Sequence, residues 1–177
     1  MRRIYKSTLK SIFIILIMAV TLQACKNDKK SNDTQPNTTQ VSDINTITMN
    51  TTQAETILDT YLDLSQALIA SQPKLVQEKA DKLVHAYHQE ENDIVLLAVT
   101  ISEIEDIEEQ RAIFYQLSQR METFISENLK SGEIYKQYCP MAFDDKGAFW
   151  FSTSKEILNP YFGDKMLHCG SIKKTIK

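Results

Sequence analysis

Basic charge is scarce in this chain of 177 residues, which carries 20 Lys and Arg against 23 Asp and Glu, a formal net charge of −3 and a pI near 5.6. That balance supplies no electrostatic footprint for nucleic acid, so nucleic acid is excluded as a partner. Long apolar runs are missing as well. The run from Ile12 to Val20 is too short to span a bilayer and is followed at once by polar chain. All four glycines, Gly132, Gly147, Gly163 and Gly170, lie beyond Lys130. No phosphate-cradling glycine pattern, paired-carboxylate constellation or oxyanion loop is recognisable, which argues against an enzyme.

What is present begins with a targeting segment. Arg2, Arg3, Lys6 and Lys10 precede the apolar run, and residues 1 to 24 read as a leader. It ends in Leu22-Gln23-Ala24-Cys25, which resembles the lipobox of bacterial lipoproteins. The resemblance implies that Cys25 becomes an acylated N-terminus and anchors the chain to a membrane. A plain signal peptide or a short membrane anchor is the alternative. Each of these readings places the remainder outside the cytoplasm, in the bacterial cell envelope on its periplasmic or surface face. Residues 25 to 51 are almost entirely Asn, Asp, Ser, Thr, Gln and Lys, a composition expected to form a flexible tether. Residues 52 to 177 are the right size for one domain with its own core.

That domain is expected to be mainly α, an antiparallel bundle of three to four helices with a turn-rich C-terminal segment containing a short β-hairpin. Ile57, Tyr61, Leu64 and Leu68 recur at helical spacing over 53 to 70. Pro73 suits the first position of a second helix, whose stripe is Val76, Ala80, Leu83 and Tyr87. Asn92 or Asp93 caps a third helix carrying Ile94, Leu97, Ala98 and Ile101. A break near Glu105 and Asp106 is favoured before Ile107, Phe114, Leu117, Met121 and Phe124, because the acidic run suits a helix N-terminus. Ser131-Gly132 ends the helical body.

Beyond it, Asp144-Asp145-Lys146-Gly147 is a turn signal, and a hairpin is expected from Tyr138 to Phe151, followed by a helical turn capped at Ser152 or Ser154 and stopped by Asn159-Pro160. The chemistry also gathers here. Tyr138-Cys139-Pro140-Met141 and Met166-Leu167-His168-Cys169-Gly170 bring two thiols, two thioethers and an imidazole into a short stretch. Soft sulfur donors select Cu(I) and related ions. Cys139, Met141, Met166, His168 and Cys169 are therefore the candidate metal ligands, with Cys139 and Met141 on one side of an extended strand and Met166 and His168 on one side of another. The competing reading pairs Cys139 with Cys169 in a disulfide, which an oxidising envelope favours, and leaves Met141, Met166 and His168 as packing or surface residues. His85 and His88 lack a third ligand in sequence and read as surface residues. Gln110-Arg111 reads as a buried polar contact tying its helix to the C-terminal segment and orienting the Cys139-Pro140-Met141 loop.

Several of these stretches carry a resemblance. Asp106-Ile107-Glu108-Glu109-Gln110-Arg111 with Phe114 and Leu117-Ser118, Tyr138-Cys139-Pro140-Met141, Gly147-Ala148-Phe149-Trp150, and Asn159-Pro160-Tyr161-Phe162-Gly163 leading to Met166-Leu167-His168-Cys169-Gly170 are similar to the DUF3347 family. That family occurs in bacterial envelope lipoproteins and at the C-terminal end of some heavy-metal efflux adaptor proteins. The resemblance implies a helical domain associated with copper or other heavy-metal handling, with an efflux adaptor as the expected partner. Gln110, Arg111, Trp150, Asn159 and Pro160 are the expected structural support. Cys-Pro-Met also resembles the start of small heavy-metal-binding modules, but these place His after Met, where this chain has Ala142.

Overall fold

The computed structural model describes residues 45–88 and 92–177. The leader, Cys25 and most of the expected tether lie outside the described residues. Four long helices run in the order α1 (Thr52–Ile69), α2 (Pro73–Ala86), α3 (Asp93–Glu103) and α4 (Ile107–Asn128). Each begins where local chemistry allows it. Thr51 accepts the N–H of Ala54 at 3.0 Å, Pro73 opens α2, and Asn92 accepts the N–H of Val95 at 3.0 Å. Asp106 accepts the N–H groups of both Glu108 and Glu109 at 2.9 Å, so the acidic run starts a separate helix. Contacts follow chain order, α1 on α2, α2 on α3 and α3 on α4, as short connections require. On α4 the buried residues Gln110, Arg111, Phe114, Leu117, Ser118, Met121 and Ile125 trace one helical stripe. Gln110 and Arg111 interrupt the apolar stripe at its start.

Two small antiparallel sheets complete the fold. In the first, β1 (Thr48–Met49) pairs with β2 (Leu129–Ser131). Residues 45–49 were expected in the tether, and the structure corrects this. Met49 is buried, and Asn45 accepts the N–H of Glu133 at 2.8 Å and donates to its carbonyl at 2.7 Å. Ile47 and Met49 give this polar stretch enough apolar surface to dock. In the second sheet the order is β4-β3-β5, with β3 (Ile134–Cys139) between β4 (Ala148–Ser152) and β5 (Ser171–Ile176).

The expected hairpin is therefore present, with corrections. Its strands pair Tyr135 with Ser152 through Cys139 with Ala148, so β3 begins before Tyr138 and stops at Cys139. Pro140 has no N–H to continue the ladder. The connection is a turn of helix at Ala142–Asp145 in which Phe143, Asp144 and Asp145 all have positive φ. Gly147 closes it at φ +77, where a Cβ would collide with the Tyr138 hydroxyl. The helical turn expected after Ser152 does not form. Ser152 Oγ accepts the N–H of Ser154 and Ser154 Oγ that of Glu156, each at 3.1 Å, so the hydroxyls bind the backbone in place of helix bonds.

Candidate functional site

The C-terminal segment is assembled around Asn159. Its Oδ1 accepts the N–H of Tyr161 at 2.8 Å, its Nδ2 donates to the Cys169 carbonyl at 2.9 Å, and its N–H donates to the Leu167 carbonyl at 2.8 Å. One buried side chain thus holds both ends of the loop that carries Met166, His168 and Cys169. Pro160, next in the chain, presents its carbonyl to Arg111 Nε at 3.0 Å. Tyr161 packs edge-on against Trp150 and Phe143, with ring centroids 5.9 and 5.3 Å away, and donates its hydroxyl to the Phe149 carbonyl at 2.6 Å.

Arg111 is 1% exposed and binds three parts of the chain at once. Besides Pro160 it donates from Nη2 to Ser71 Oγ at 3.0 Å and to the Leu68 carbonyl at 3.3 Å, and from Nη1 to Glu108 at 2.9 Å. Ser71 follows the C-cap of α1 with φ +53, and the N–H groups of Ser71 and Gln72 return to Leu68 and Ala67. Glycine normally takes this left-handed position. Serine supplies an acceptor for the guanidinium instead. Gly163, at φ +56, approaches the same group so closely that a Cβ would lie 2.9 Å from Arg111 Nη2. Arg111 therefore positions the Asn159–Gly163 turn, not the Cys139-Pro140-Met141 loop expected from sequence. Gln110 joins α4 to the Ile104 and Pro73 carbonyls at 2.7 and 3.1 Å.

Cys139 and Cys169 meet in a disulfide, with Cα atoms 5.7 Å apart and a sequence separation of 30. The bond fastens the end of β3 to the loop that enters β5. Cys139 is fully buried and Cys169 partly so. The other expected ligands do not share one extended face. Met141 is 48% exposed, beyond the end of β3, while Cys139 is buried. Met166 and His168 follow a 3-10 turn at Gly163–Lys165, and the exposed His168 places Nδ1 2.9 Å from the Ile157 carbonyl. A disulfide sulfur is not a thiolate, so while the bond holds the donor set for Cu(I) reduces to two thioethers and an imidazole. Among the described residues no group of three His, Cys, Asp or Glu side chains is placed to hold a metal ion.

His85 and His88 line a groove of about 460 Å³ between α1 and α2 with Gln53, Thr56 and Thr60. Gln53 bonds the Ala86 carbonyl, Thr56 and Thr60 bond carbonyls of their own helix, and His85 Nδ1 is 2.9 Å from the Asp81 carbonyl, so the polar lining is largely spent on the fold.

Sequence pattern placed Tyr61 and Ser118 on their helices but gave them no polar role, and it did not point to Gln137. Tyr61 and Ser118 hydroxyls are 2.8 Å apart in the core, and the Phe151 N–H donates to Tyr61 at 3.2 Å. Burial pushes both the Tyr61 and Tyr161 phenols well above their ordinary range. Gln137 is buried and donates to the Ser154 and Glu156 carbonyls at 2.8 and 2.9 Å, holding the segment after β4. A glutamine amid apolar and aromatic strand residues was the available signal.

No curated protein and no solved structure matches the chain. A family model does, over residues 57–132. The match runs from within α1 to the end of β2 and stops before Cys139, so the disulfide and the sulfur-bearing loops lie beyond the matched stretch. Over residues 57–132 the chain is similar to the family described as Protein of unknown function (DUF3347).

Proposed function

We propose that this protein is a non-enzymatic docking module of the bacterial cell envelope, lipid-anchored at Cys25 and engaging a heavy-metal efflux adaptor or another envelope protein. The observation that carries this reading is the Cys139–Cys169 bond. It consumes the two thiols that would make the chain a soft-metal carrier and turns them into a staple for the C-terminal segment. Disulfides persist in oxidising compartments, which agrees with the leader at the N-terminus. Asn159, Arg111 and Tyr161 hold the same segment from the other side, so the donors serve architecture.

A second reading is kept because the bond brings the two sulfur-bearing segments together. Once reduced, Cys139 and Cys169 lie near each other, with Met141 two residues from one and Met166 and His168 beside the other. That set suits Cu(I).

Thiol counting on the purified chain, before and after a dithiol reductant, followed by Cu(I) titration against a chromophoric chelator, separates the two. A docking module shows Cys139 and Cys169 oxidised and does not compete for copper. Stoichiometric competition by the reduced chain, lost in Cys139→Ser, would replace docking by metal handling.

A further inference from the structure

We infer that the exposed edge of β5 is a contact surface for anionic lipid headgroups, which orients the domain on the membrane that holds it. Charge is strongly segregated along the chain. Residues 45 to 128 carry fifteen Asp and Glu against five Lys and Arg, whereas residues 129 to 177 carry eight Lys against five Asp and Glu. The helical body is repelled by an anionic surface and the sheet end is attracted.

The geometry concentrates that attraction on β5. Gln137 pairs with Ile172 and Lys136 with Lys174, so Lys173 is the extra residue of a β-bulge. A bulge re-aims a side chain. Here it carries Lys173 to the Tyr138 ring, 5.4 Å from its centroid, on the face shared by Lys136 and Lys174. Glu122 takes Lys136 and Glu133 takes Lys177, each at 2.7 Å, which leaves Lys173 and Lys174 without a carboxylate among the described residues. Both are exposed. β5 is also an open edge, bonded only to β3. A bulge and two lysines on an open edge block strand addition, which removes an extended peptide as the occupant. Two unpaired cations side by side on an exposed strand edge fit a headgroup layer, with ammonium groups on phosphate or carboxylate.

This inference rests on the chain being held at a membrane, by acylated Cys25 or by the apolar run before it. The full chain is reconstituted on vesicles of phosphatidylcholine alone or with phosphatidylserine, and lysine acetylation is followed residue by residue. Each lysine near an anionic surface biases docking by about a factor of five, so two shift it about thirtyfold. Acetylation of Lys173 and Lys174 is expected to slow by up to about that factor on phosphatidylserine vesicles at low salt. Lys79 and Lys82 on α2 should react alike on both vesicles, and Lys173→Gln with Lys174→Gln should free the remaining sheet lysines, whereas Lys79→Gln with Lys82→Gln should not. Equal acetylation of Lys173 and Lys174 on both vesicles overturns this proposal alone and leaves the basic face to an acidic protein. A chain that washes off both vesicles overturns the membrane tether and this proposal together.

Discussion

Replacing Arg111 with Met removes four hydrogen bonds while nearly keeping side-chain volume. The Pro160 carbonyl loses a charge-assisted donor in the core, at a cost of about 1–3 kcal/mol for a buried acceptor left unpaired. Ser71 Oγ and the Leu68 carbonyl lose a shared donor and add about 1 kcal/mol, less than a full penalty because Leu68 still accepts the N–H of Ser71 at 3.0 Å. Glu108 is more than half exposed and returns to water, so its pairing contributes little. Burying a thioether instead of a guanidinium recovers some desolvation. The balance is a loss of about 3 kcal/mol, which for a domain of about 130 residues lowers Tm by about 10 °C. Circular dichroism melting measures this, and hydrogen exchange locates it. Amides of Tyr161 and Gly163 should exchange faster in Arg111→Met, because the turn they close is held by Pro160. A Tm loss under about 3 °C, with unchanged exchange at Tyr161 and Gly163, would refute the assignment of Arg111 as the anchor of that turn.

Removing the disulfide with Cys139→Ala and Cys169→Ala frees a loop of 30 residues and is expected to cost about 3.6 kcal/mol by loop entropy, read as a lower urea midpoint. Tyr61 and Tyr161 are neutral in the folded chain and titrate near pH 10 once unfolded, so the unfolded state releases protons first as pH rises. Their contribution is complete below about pH 10 and is lost above it, and urea midpoints measured across that range should fall, less steeply in Tyr61→Phe. Gly147→Ala is expected to destabilise by about 2 kcal/mol or more, since the new Cβ meets the Tyr138 hydroxyl at a positive φ, and chemical denaturation gives the value.

The helical body was legible in the sequence because its determinants are local. Thr51, Pro73, Asn92 and Asp106 start their helices through groups within three residues, and the apolar stripe of each helix repeats at its own period. The C-terminal segment was legible only as turn-rich and aromatic with a hairpin in it. What it builds depends on partners far away in the chain. β5 needs β3 more than thirty residues upstream, and β1 needs β2 about eighty residues downstream. Arg111 needs Ser71 and Pro160, which lie 40 and 49 residues away on opposite sides. Cys139, Met141, Met166, His168 and Cys169 could be named as chemistry from their types alone. Which of them meet was a matter of tertiary structure, because the strand stops at Cys139 and Met141, beyond Pro140, takes a helical backbone at φ −86, while Asn159 holds Cys169 in place. Spacing along a chain specifies a helix face within a few residues. It does not specify which of two distant loops closes over the other.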